Sequence, residues 1–504
     1  MSVRLRYAPS PTGDPHVGNI RTALWSWLHA RRHGGAFVLR LEDTDQSRAV
    51  AGSLDRIEGS LRWLGIDWDE GPDVGGPFAP YVQSQRLERY EAATAQLLEA
   101  GHAYRCFCTP DELSAMRERQ RESGDPPGYD GRCRALEAGA TAARAASHEP
   151  HVVRFRMPDD GTTTFEDLIR GTITYENRVL DDFVILKSDG FPTYHLAHVV
   201  DDHAMQITHV TRGDEWIPST PRHVRLFEAL GYELPVFVHT PVILGPDGGK
   251  LSKRQGAKSV LEYAAEGYLP GALLNYLAII GWALDDHTEI LSRDQLFESF
   301  DLAGLNPAPA AFDTDKLEWM NGVYMRQLPL DDLAARFAQR LDADLPPEVA
   351  RPLDHALIEA FTPLIQERVK LLSDVAPLTD LFFAEAIAVA PPEEFIGRGL
   401  RDTPERAAQA LDAATLALAP LAEDWSAEPL EAALRALADA IEVKAGDLFM
   451  LCRVAVTGKR VTPPLFETMA IVGGEACLAR LAAASDALAA AYPPEAAASA
   501  GSSS

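Results

Sequence analysis

Cysteine, basic charge and long apolar runs are all scarce in this chain of 504 residues. Five cysteines are too few for a disulfide framework, and Cys452 and Cys477 fall in helical patterns that predict buried apolar side chains. The longest apolar run, residues 271–284, contains an asparagine and is too short to span a bilayer. The first residues form no hydrophobic signal segment. We therefore expect a cytoplasmic protein with no membrane contact.

Basic residues are outnumbered, with 47 lysines and arginines against 74 aspartates and glutamates, and the formal net charge is -27. Such a balance argues against nucleic acid as a partner unless the basic residues gather on one face. The acidic remainder would then reduce non-specific binding. Hydrophobic residues make up 46% of the chain, which is enough for a large core in several domains.

The densest pattern lies in residues 4–21, RLRYAPSPTGDPHVGNIR. Residues 4–8 suit a short strand, and the prolines that follow exclude regular structure. Helical spacing then begins at Gly18, with Gly34 as a natural stop. A loop that opens onto a helix N-terminus suits a phosphate group, to which His16 could donate. The alternative is an ordinary turn in which His16 is a surface side chain.

A second strand and helix follow, at residues 36–42 and 54–64. Strand, helix, strand and helix in this order predict an α/β fold with a parallel sheet. Ligands bind such sheets at the carboxyl ends of the strands, where Arg6–Ser10, His16 and Glu42–Asp45 would meet. The alternative for Glu42–Asp45 is a charged surface loop.

Further along, residues 151–177 predict antiparallel strands, and residues 181–200 predict a hairpin that turns at Asp189 and Gly190 and returns through PTYHLAHVV. Ser219 would begin a helix, and the pattern is helical throughout after Leu328.

Arginine and lysine mark two later segments. Arg212 stands just before Gly-Asp-Glu-Trp and is, with Arg6, a candidate for binding a carboxylate through its planar fork. A strand at residues 237–244 runs into GPDGGKLSKRQGAKS, where Lys250 and Lys253 lie in a glycine-rich loop. A basic loop can follow the charge that builds on a leaving pyrophosphate, although a solvated loop would be the default.

Two of these segments resemble known signatures. PSPTGDPHVGN, residues 9–19, resembles the first signature of glutamyl-tRNA synthetases, and KLSKR, residues 250–254, resembles the second signature of class I synthetases. The resemblance covers nearly the whole chain and identifies it as a member of the bacterial-type glutamyl-tRNA synthetase family.

The resemblance implies a Rossmann-like α/β catalytic domain with an inserted α+β acceptor-binding domain, followed by an all-α anticodon-binding region. The implied boundaries are 1–108 (catalytic, first half), 109–190 (insert), 191–258 (catalytic, second half), 259–325 (stem contact, helical), 326–492 (anticodon binding) and 493–504 (disordered tail).

The family joins glutamate to tRNA-Glu in two steps, through a glutamyl adenylate. The implied partners are ATP with Mg²⁺, L-glutamate and tRNA-Glu, in a monomer, and whether tRNA-Gln is also charged stays open. The implied catalytic residues are His16 and Lys253. The implied ATP-binding residues are Thr12, His16, Gly18, Asn19, Glu215, Trp216, Lys250 and Lys253. The implied glutamate-binding residues are Arg6, Ala8, Ser10, Glu42, Tyr194 and Arg212.

Three further features of the sequence allow two interpretations each. Cys106, Cys108 and Cys133 could hold zinc, and Tyr129 matches the tyrosine version of the family's ligand set, C-x-C…Y-x3-C; the alternative is three metal-free cysteines. Arg368 aligns with an arginine that distinguishes anticodons in the family, or is a surface arginine in a salt bridge. The family usually has asparagine in YHLAN where this chain has a histidine, His198, so either the imidazole keeps the contact or the substrate pocket differs.

Three other functions compete with this interpretation. A nucleotidyltransferase of the same fold would lack the long helical C-terminus and the KLSKR loop. A shortened relative that glutamylates a tRNA base lacks an anticodon domain, so the length of the chain argues against it. A non-catalytic RNA-binding relative would be expected to lose signature residues, and His16, Gly18 and Lys253 are all present.

Overall fold

The structure is a computed structural model that describes residues 2–124, 126, 128–251, 258–384, 387–396 and 403–493. The described chain forms two compact units. The first contains the described residues up to Ala265 together with Pro270–Leu317. The second contains Glu266–Leu269 together with the described residues from Glu318 onward.

All described strands lie in the first unit, and they form small sheets of two to four strands. The strands are β1 (Arg4–Tyr7), β2 (Ala36–Leu39), β3 (Ala103–Cys106), β4 (Val152–Phe155), β5 (Thr162–Asp167), β6 (Gly171–Glu176), β7 (Val184–Leu186), β8 (His209–Gly213), β9 (Val236–Thr240), β10 (Ile243–Leu244) and β11 (Ala310–Ala311).

Helices make up most of the rest of the described chain. Up to residue 327 they are α1 (Val17–Arg32), α2 (Ser53–Leu64), α3 (Leu87–Glu99), α4 (Pro110–Ser123), α5 (Ala138–Ala146), α6 (Tyr194–Ala204), α7 (Thr220–Leu230), α8 (Val260–Glu266), α9 (Pro270–Ile279), α10 (Arg293–Ser299) and α11 (Thr314–Gln327). Later helices are α12 (Leu330–Asp344), α13 (His355–Ile365), α14 (Val375–Thr379), α15 (Pro392–Phe395), α16 (Glu405–Leu418), α17 (Ala427–Ala440), α18 (Ala445–Thr457), α19 (Leu465–Val472) and α20 (Gly474–Ala491). Short 3-10 turns include Gln83–Gln85 and Asp214–Ser219.

The predicted strand–helix–strand unit at the start of the chain is confirmed. Strands β1 and β2 pair in parallel, from Arg4↔Ala36 to Tyr7↔Leu39, with α1 as the crossover. Helix α1 ends at Arg32, and Gly34 follows with φ +59, a left-handed conformation that favours glycine. The next predicted helix is α2.

A second parallel pair positions residues that become important below. Strands β8 and β9 pair in the register Arg212↔His239, and β5 joins β9 in parallel at Asp167↔Phe237. Strand β5 also pairs antiparallel with β6, as the sequence predicts, and β4 pairs antiparallel with β3 and β7. The sheet order β6-β5-β9-β8 therefore brings Asp167, Arg212 and His239 to neighbouring strands.

The predicted return strand PTYHLAHVV is wrong, because its residues from Tyr194 onward begin helix α6. Only an isolated bridge, Leu186↔Pro192, remains of the predicted hairpin. Every residue from Leu196 to Asp202 is buried, so the helix has no solvent-facing polar stripe in this stretch. Its 3.6-residue period is therefore hidden, and the neighbouring β-branched valines imitate a strand.

The second unit is a bundle of helices around an apolar core, as the pattern after Leu328 predicts. Leu430 and Leu434 of α17 are fully buried in that core. Cys452 of α18 and Cys477 of α20 are buried there too, which confirms their predicted role as apolar side chains. Burial raises the pKa of both thiols to about 12, so they stay protonated at neutral pH.

Candidate active site

A cavity of about 1210 Å³ opens in the first unit at the carboxyl ends of β1, β2 and β8. Its lining contains every described residue that the sequence assigns to catalysis or to ATP and glutamate binding. These residues are Arg6, Ala8, Ser10, Thr12, His16, Gly18, Asn19, Glu42, Tyr194, Arg212, Glu215, Trp216 and Lys250. Lys253 lies outside the described residues. The convergence predicted for this sheet edge is thus confirmed.

The loop after β1 is fixed to the segment after β2 by backbone hydrogen bonds. Glu42 donates its N–H to Pro9, and Val50 donates to Pro11. His16 then caps α1, because its Nδ1 accepts the N–H of Gly18 at 3.1 Å. A neutral ring that accepts at Nδ1 carries its proton on Nε2, so Nε2 is the atom that can donate to a phosphate oxygen. A Cβ on Gly18 would lie 2.9 Å from His16 Cε1, so any larger residue there would force the His16 ring to move.

A buried group of three guanidiniums and two carboxylates includes part of the cavity lining: Arg6, Glu42 and Arg212 line the cavity, whereas Arg40 and Asp202 are buried outside the lining. Asp202 accepts from Arg6 Nε at 3.1 Å and from Arg40 NH1 at 2.7 Å, and Arg40 NH2 also donates to Glu42 at 2.9 Å. Burial works against the charge on Asp202, but the two arginines hold the pKa of that carboxyl well below its usual range. Burial raises the pKa of Glu42, which Arg40 partly offsets. Arg6, predicted as a carboxylate ligand, therefore already has an ion pair.

Arg212 is the third guanidinium, and it differs from the other two. Its side chain is only 6% exposed, and its hydrogen bonds go to hydroxyl groups and to histidine rings. Among the described residues, no carboxylate oxygen lies within 4 Å of its nitrogens. A buried cation without a counter-charge is costly, so this position favours an anionic ligand.

The cavity lining also carries an aromatic pair and an ion pair. The rings of Tyr194 and Trp216 lie 4.5 Å apart between centroids, and the Tyr194 hydroxyl oxygen accepts a hydrogen bond from Arg212 NH1 at 3.3 Å. Lys250 Nζ contacts Glu215 at 2.9 Å. These four cavity residues combine a flat apolar surface with exposed charge, which suits a nucleotide.

His198, the histidine in place of the family's usual asparagine, is fully buried and contacts two residues of the cavity lining, Arg6 and Tyr194. Its Nδ1 lies 3.0 Å from Asp202 Oδ2 and 3.4 Å from Arg6 NH2, and its ring stacks on Tyr194 at 5.4 Å. Its Nε2 has no hydrogen-bond partner among the described residues. Burial lowers the pKa of His198 to about 3, against the pull of Asp202, so the ring is neutral at pH 7.

The three clustered cysteines come together as the sequence predicts, with Tyr129 among them. Cys108 Sγ lies 3.6 Å from Cys133 Sγ, and the Tyr129 hydroxyl lies 3.4 Å from Cys106 Sγ and 3.7 Å from Cys108 Sγ. Sulfur atoms bound to one tetrahedral zinc ion stand roughly 3.8 Å apart. The four donor groups therefore fit a zinc ion in number and spacing.

Arg368 is exposed in the second unit, where its NH1 donates to the carbonyl oxygen of Thr462. Burial, and then the charge of Arg368, lowers the pKa of Arg453. The described residues form no salt bridge with Arg368, so the alternative of a surface salt bridge is not observed there, and its hydrogen-bond partner is a backbone carbonyl. An exposed arginine held at its tip is compatible with a ligand contact.

The sequence analysis missed several buried residues that contact the cavity lining. Arg40 directly follows β2 and lies two residues before Glu42, so its place in the sequence could have identified it as a residue of the site. Asp202, His223 and His239 have no local pattern, because their neighbours come from distant strands and helices. Only the density of histidines between residues 195 and 239 hinted at a cluster.

No helix in the described chain is long and apolar enough to cross a membrane.

Comparison with known proteins defines the class first. The model for class I tRNA synthetases (E and Q), catalytic domain, matches residues 2–319, and the model for the anticodon binding domain matches residues 332–485. The chain therefore belongs to the class I tRNA synthetases for glutamate and glutamine.

Within this class, the similar curated proteins are glutamate--tRNA ligases. That of Dehalococcoides mccartyi is 50% identical over 482 residues, covering 96% of this chain and 97% of its own. That of Acidothermus cellulolyticus is 49% identical over 490 residues, covering 95% of each chain. A solved glutamate tRNA ligase from Elizabethkingia meningosepticum, in complex with its amino acid, superposes with a TM-score of 0.87 at 35% identity, over 97% of this chain and 100% of that one.

Proposed function

We propose that the chain catalyses the ATP-dependent ligation of L-glutamate to tRNA-Glu through a glutamyl adenylate, releasing AMP and diphosphate. One observation carries this proposal beyond the family level: Arg212 is a buried cation without a carboxylate partner in the described residues, in the same cavity as the His16 loop. Glutamate has two carboxylates. One could pair with Arg212 while the other reacts with a nucleotide bound at the His16 loop.

Glutamate would be held between opposite charges. Its ammonium group would meet Glu42, and its side-chain carboxylate would meet Arg212, with Arg6 behind it. The remaining contacts would come from Ala8, Ser10 and Tyr194. Glutamine would leave the Arg212 guanidinium without a counter-charge, which is a larger loss than a missing methylene group.

The first step would join the two bound substrates. The α-carboxylate of glutamate attacks the α-phosphorus of ATP, and pyrophosphate leaves. His16 Nε2 and Lys253 would stabilise the phosphate charge, while Lys250 and Trp216 contact the nucleotide and Gly18 admits it to the backbone. Thr12, Asn19 and Glu215 complete the ATP-binding set. Positioning and electrostatics carry such a transfer without a covalent enzyme intermediate. Mg²⁺ would enter with ATP and neutralise part of its charge.

Zinc would serve structure rather than chemistry. Cys106, Cys108, Cys133 and Tyr129 would supply four ligands and leave no position for a substrate, as in closed structural sites. Tyr129 and Cys133 lie in the segment 109–190 that would grip the acceptor end of tRNA, whereas Cys106 and Cys108 lie at and just after the end of β3, so the ion would hold that segment to β3.

The tRNA would contact the chain along its length. We assign residues 109–190 to the acceptor end, 259–325 to the stem and 326–492 to the anticodon, and Arg368 to anticodon discrimination. The two family models, which end and begin at residues 319 and 332, support a boundary near the last of these divisions. Selective charging of tRNA-Glu over tRNA-Gln would agree with the role given to Arg368.

Pyrophosphate exchange tests the first step directly. Purified protein is mixed with ATP, Mg²⁺, labelled pyrophosphate and unlabelled tRNA-Glu, with glutamate, glutamine or no amino acid. We expect exchange with glutamate only. Exchange with glutamine, or exchange that needs no amino acid, would contradict the proposed function.

A further inference from the structure

The side chains that hold Arg212 have an unusual property in common: none of them carries a charge. Arg212 Nε donates to His239 Nε2 at 3.1 Å, and NH2 donates to Thr220 Oγ1 at 2.8 Å. NH1 donates to His223 Nδ1 at 3.0 Å and to the Tyr194 hydroxyl at 3.3 Å. Four of the five guanidinium hydrogens are thus used by neutral acceptors, and the fifth, on NH2, has no acceptor among the described residues.

Arg6, which lines the same cavity, and the buried Arg40 are held in the opposite way. Arg6 and Arg40 both donate to the buried carboxylate of Asp202, and Arg40 also donates to Glu42. Arg6 and Arg40 are therefore paired with carboxylates, whereas Arg212 is not. The neutral partners of Arg212 accept its hydrogen bonds but do not neutralise its positive charge.

A carboxylate does stand near Arg212, but one imidazole ring away. Asp167 Oδ2 contacts His239 Nδ1 at 2.7 Å and accepts the backbone N–H of His239 at 2.9 Å, while Oδ1 accepts the N–H of Arg170 at 3.0 Å. Burial works against it, but these bonds lower the pKa of Asp167, so it is ionised. His239 must therefore carry its proton on Nδ1 and accept from Arg212 at Nε2. The His239 ring therefore orients the Arg212 guanidinium without forming an ion pair with it.

The second ring has a matching chain of hydrogen bonds. His223 Nδ1 accepts from Arg212, so its proton is on Nε2, which lies 2.9 Å from His195 Nδ1. Burial, and then the charge of Arg212, holds the pKa of His223 well below its usual range. Burial likewise lowers the pKa of His239 and takes that of His195 to about 4. All three rings are neutral at pH 7.

We infer that His223 and His239 are positioning residues that hold Arg212 through neutral acceptors and so reserve its charge for the side-chain carboxylate of glutamate. This inference rests on the proposed function, and it explains how the site would select glutamate over glutamine. The preference for glutamate over glutamine then comes from the uncharged shell behind Arg212 as much as from Arg212 itself.

A pair of variants at one position isolates charge from shape. His223→Asn and His223→Asp are nearly isosteric, both lose the contact with His195, and both can place an oxygen near Arg212 NH1, but only aspartate neutralises it. We expect the KM for glutamate to be at least tenfold higher in H223D than in H223N, with KM for ATP differing less than threefold. The ratio of kcat/KM for glutamate over glutamine should fall in H223D by a similar factor.

A residue that only supports packing would affect the two variants equally, so equal values of KM for glutamate would overturn the inference. Thr220→Asn and Thr220→Asp repeat the comparison at the NH2 side, 2.8 Å from Arg212, in case H223D does not fold. Thermal unfolding of each variant checks folding. Exchange by the unmodified protein distinguishes failure of this inference from failure of the proposed function. If the unmodified protein exchanges pyrophosphate with glutamate, but the Asn and Asp variants have equal KM for glutamate, the inference is wrong and the proposed function stands.

Discussion

Replacing Arg212 with alanine probes the contact on which the glutamate pocket depends. The guanidinium is buried, has no carboxylate within 4 Å among the described residues, and lines the cavity next to Tyr194. Hydrogen bonds to a charged group contribute about 1.5–3 kcal/mol, and a tenfold change in affinity corresponds to about 1.4 kcal/mol. We therefore expect Arg212→Ala to raise KM for glutamate by about 10- to 100-fold.

The assay is pyrophosphate exchange at saturating ATP, with glutamate varied. KM for ATP should change little, because we assign Arg212 to glutamate and not to ATP. Arg225→Ala is the matched control, since Arg225 is an arginine of α7 that donates to Thr163 and Glu228 and lies outside the cavity lining. An unchanged KM for glutamate in the Arg212 variant would remove this residue from the pocket and refute the reasoning.

Three further predictions concern single side chains. Gly18→Ala places a Cβ 2.9 Å from the His16 ring, so kcat/KM for ATP should fall by about tenfold in the exchange assay, and a normal value would mean that the ring can shift freely. Tyr129→Phe removes one of four donor groups, so zinc affinity measured against a chelating dye should fall at least about tenfold; an equal affinity would leave the tyrosine outside the ligand set. His198 has its pKa lowered to about 3 in the folded state, below its unfolded value, so its contribution to stability is present above about pH 6.5 and is lost as pH falls towards the folded value. Between pH 7 and pH 5 the free energy of unfolding in urea should fall by about 2 kcal/mol more in the unmodified protein than in His198→Asn. An equal fall in both proteins would contradict a neutral buried ring.

The first strand–helix–strand unit could be predicted because its signals are local. Prolines and glycines interrupt the loop before His16, the apolar spacing of α1 has a clear period, and Gly34 ends it. Helix α6 could not be predicted in this way, since burial on all sides removes the polar stripe that identifies a surface helix. Burial alone does not separate the two helices, because all residues from Ala23 to Ala30 of α1 are buried as well. What α1 has in addition is a proline- and glycine-rich loop before it and Gly34 after it, which mark its ends in the sequence.

The predicted pocket residues converge for a related reason. Arg6, Glu42 and Arg212 each lie at the end of a parallel strand, and strand ends share one edge of a sheet. What the sequence does not reveal is which arginine is already paired. That depends on Asp202, which α6 brings from a distant part of the chain, and on the strand register that sets His239 beside Arg212.

Charging of tRNA tests the central claim most directly. Purified protein is incubated with ATP, Mg²⁺ and labelled glutamate, with tRNA-Glu and tRNA-Gln transcripts in parallel reactions. Label on tRNA-Glu alone is the predicted result, and it would also support the role of Arg368. Label on neither transcript, with ATP binding intact, would contradict the account and favour a non-catalytic RNA-binding protein.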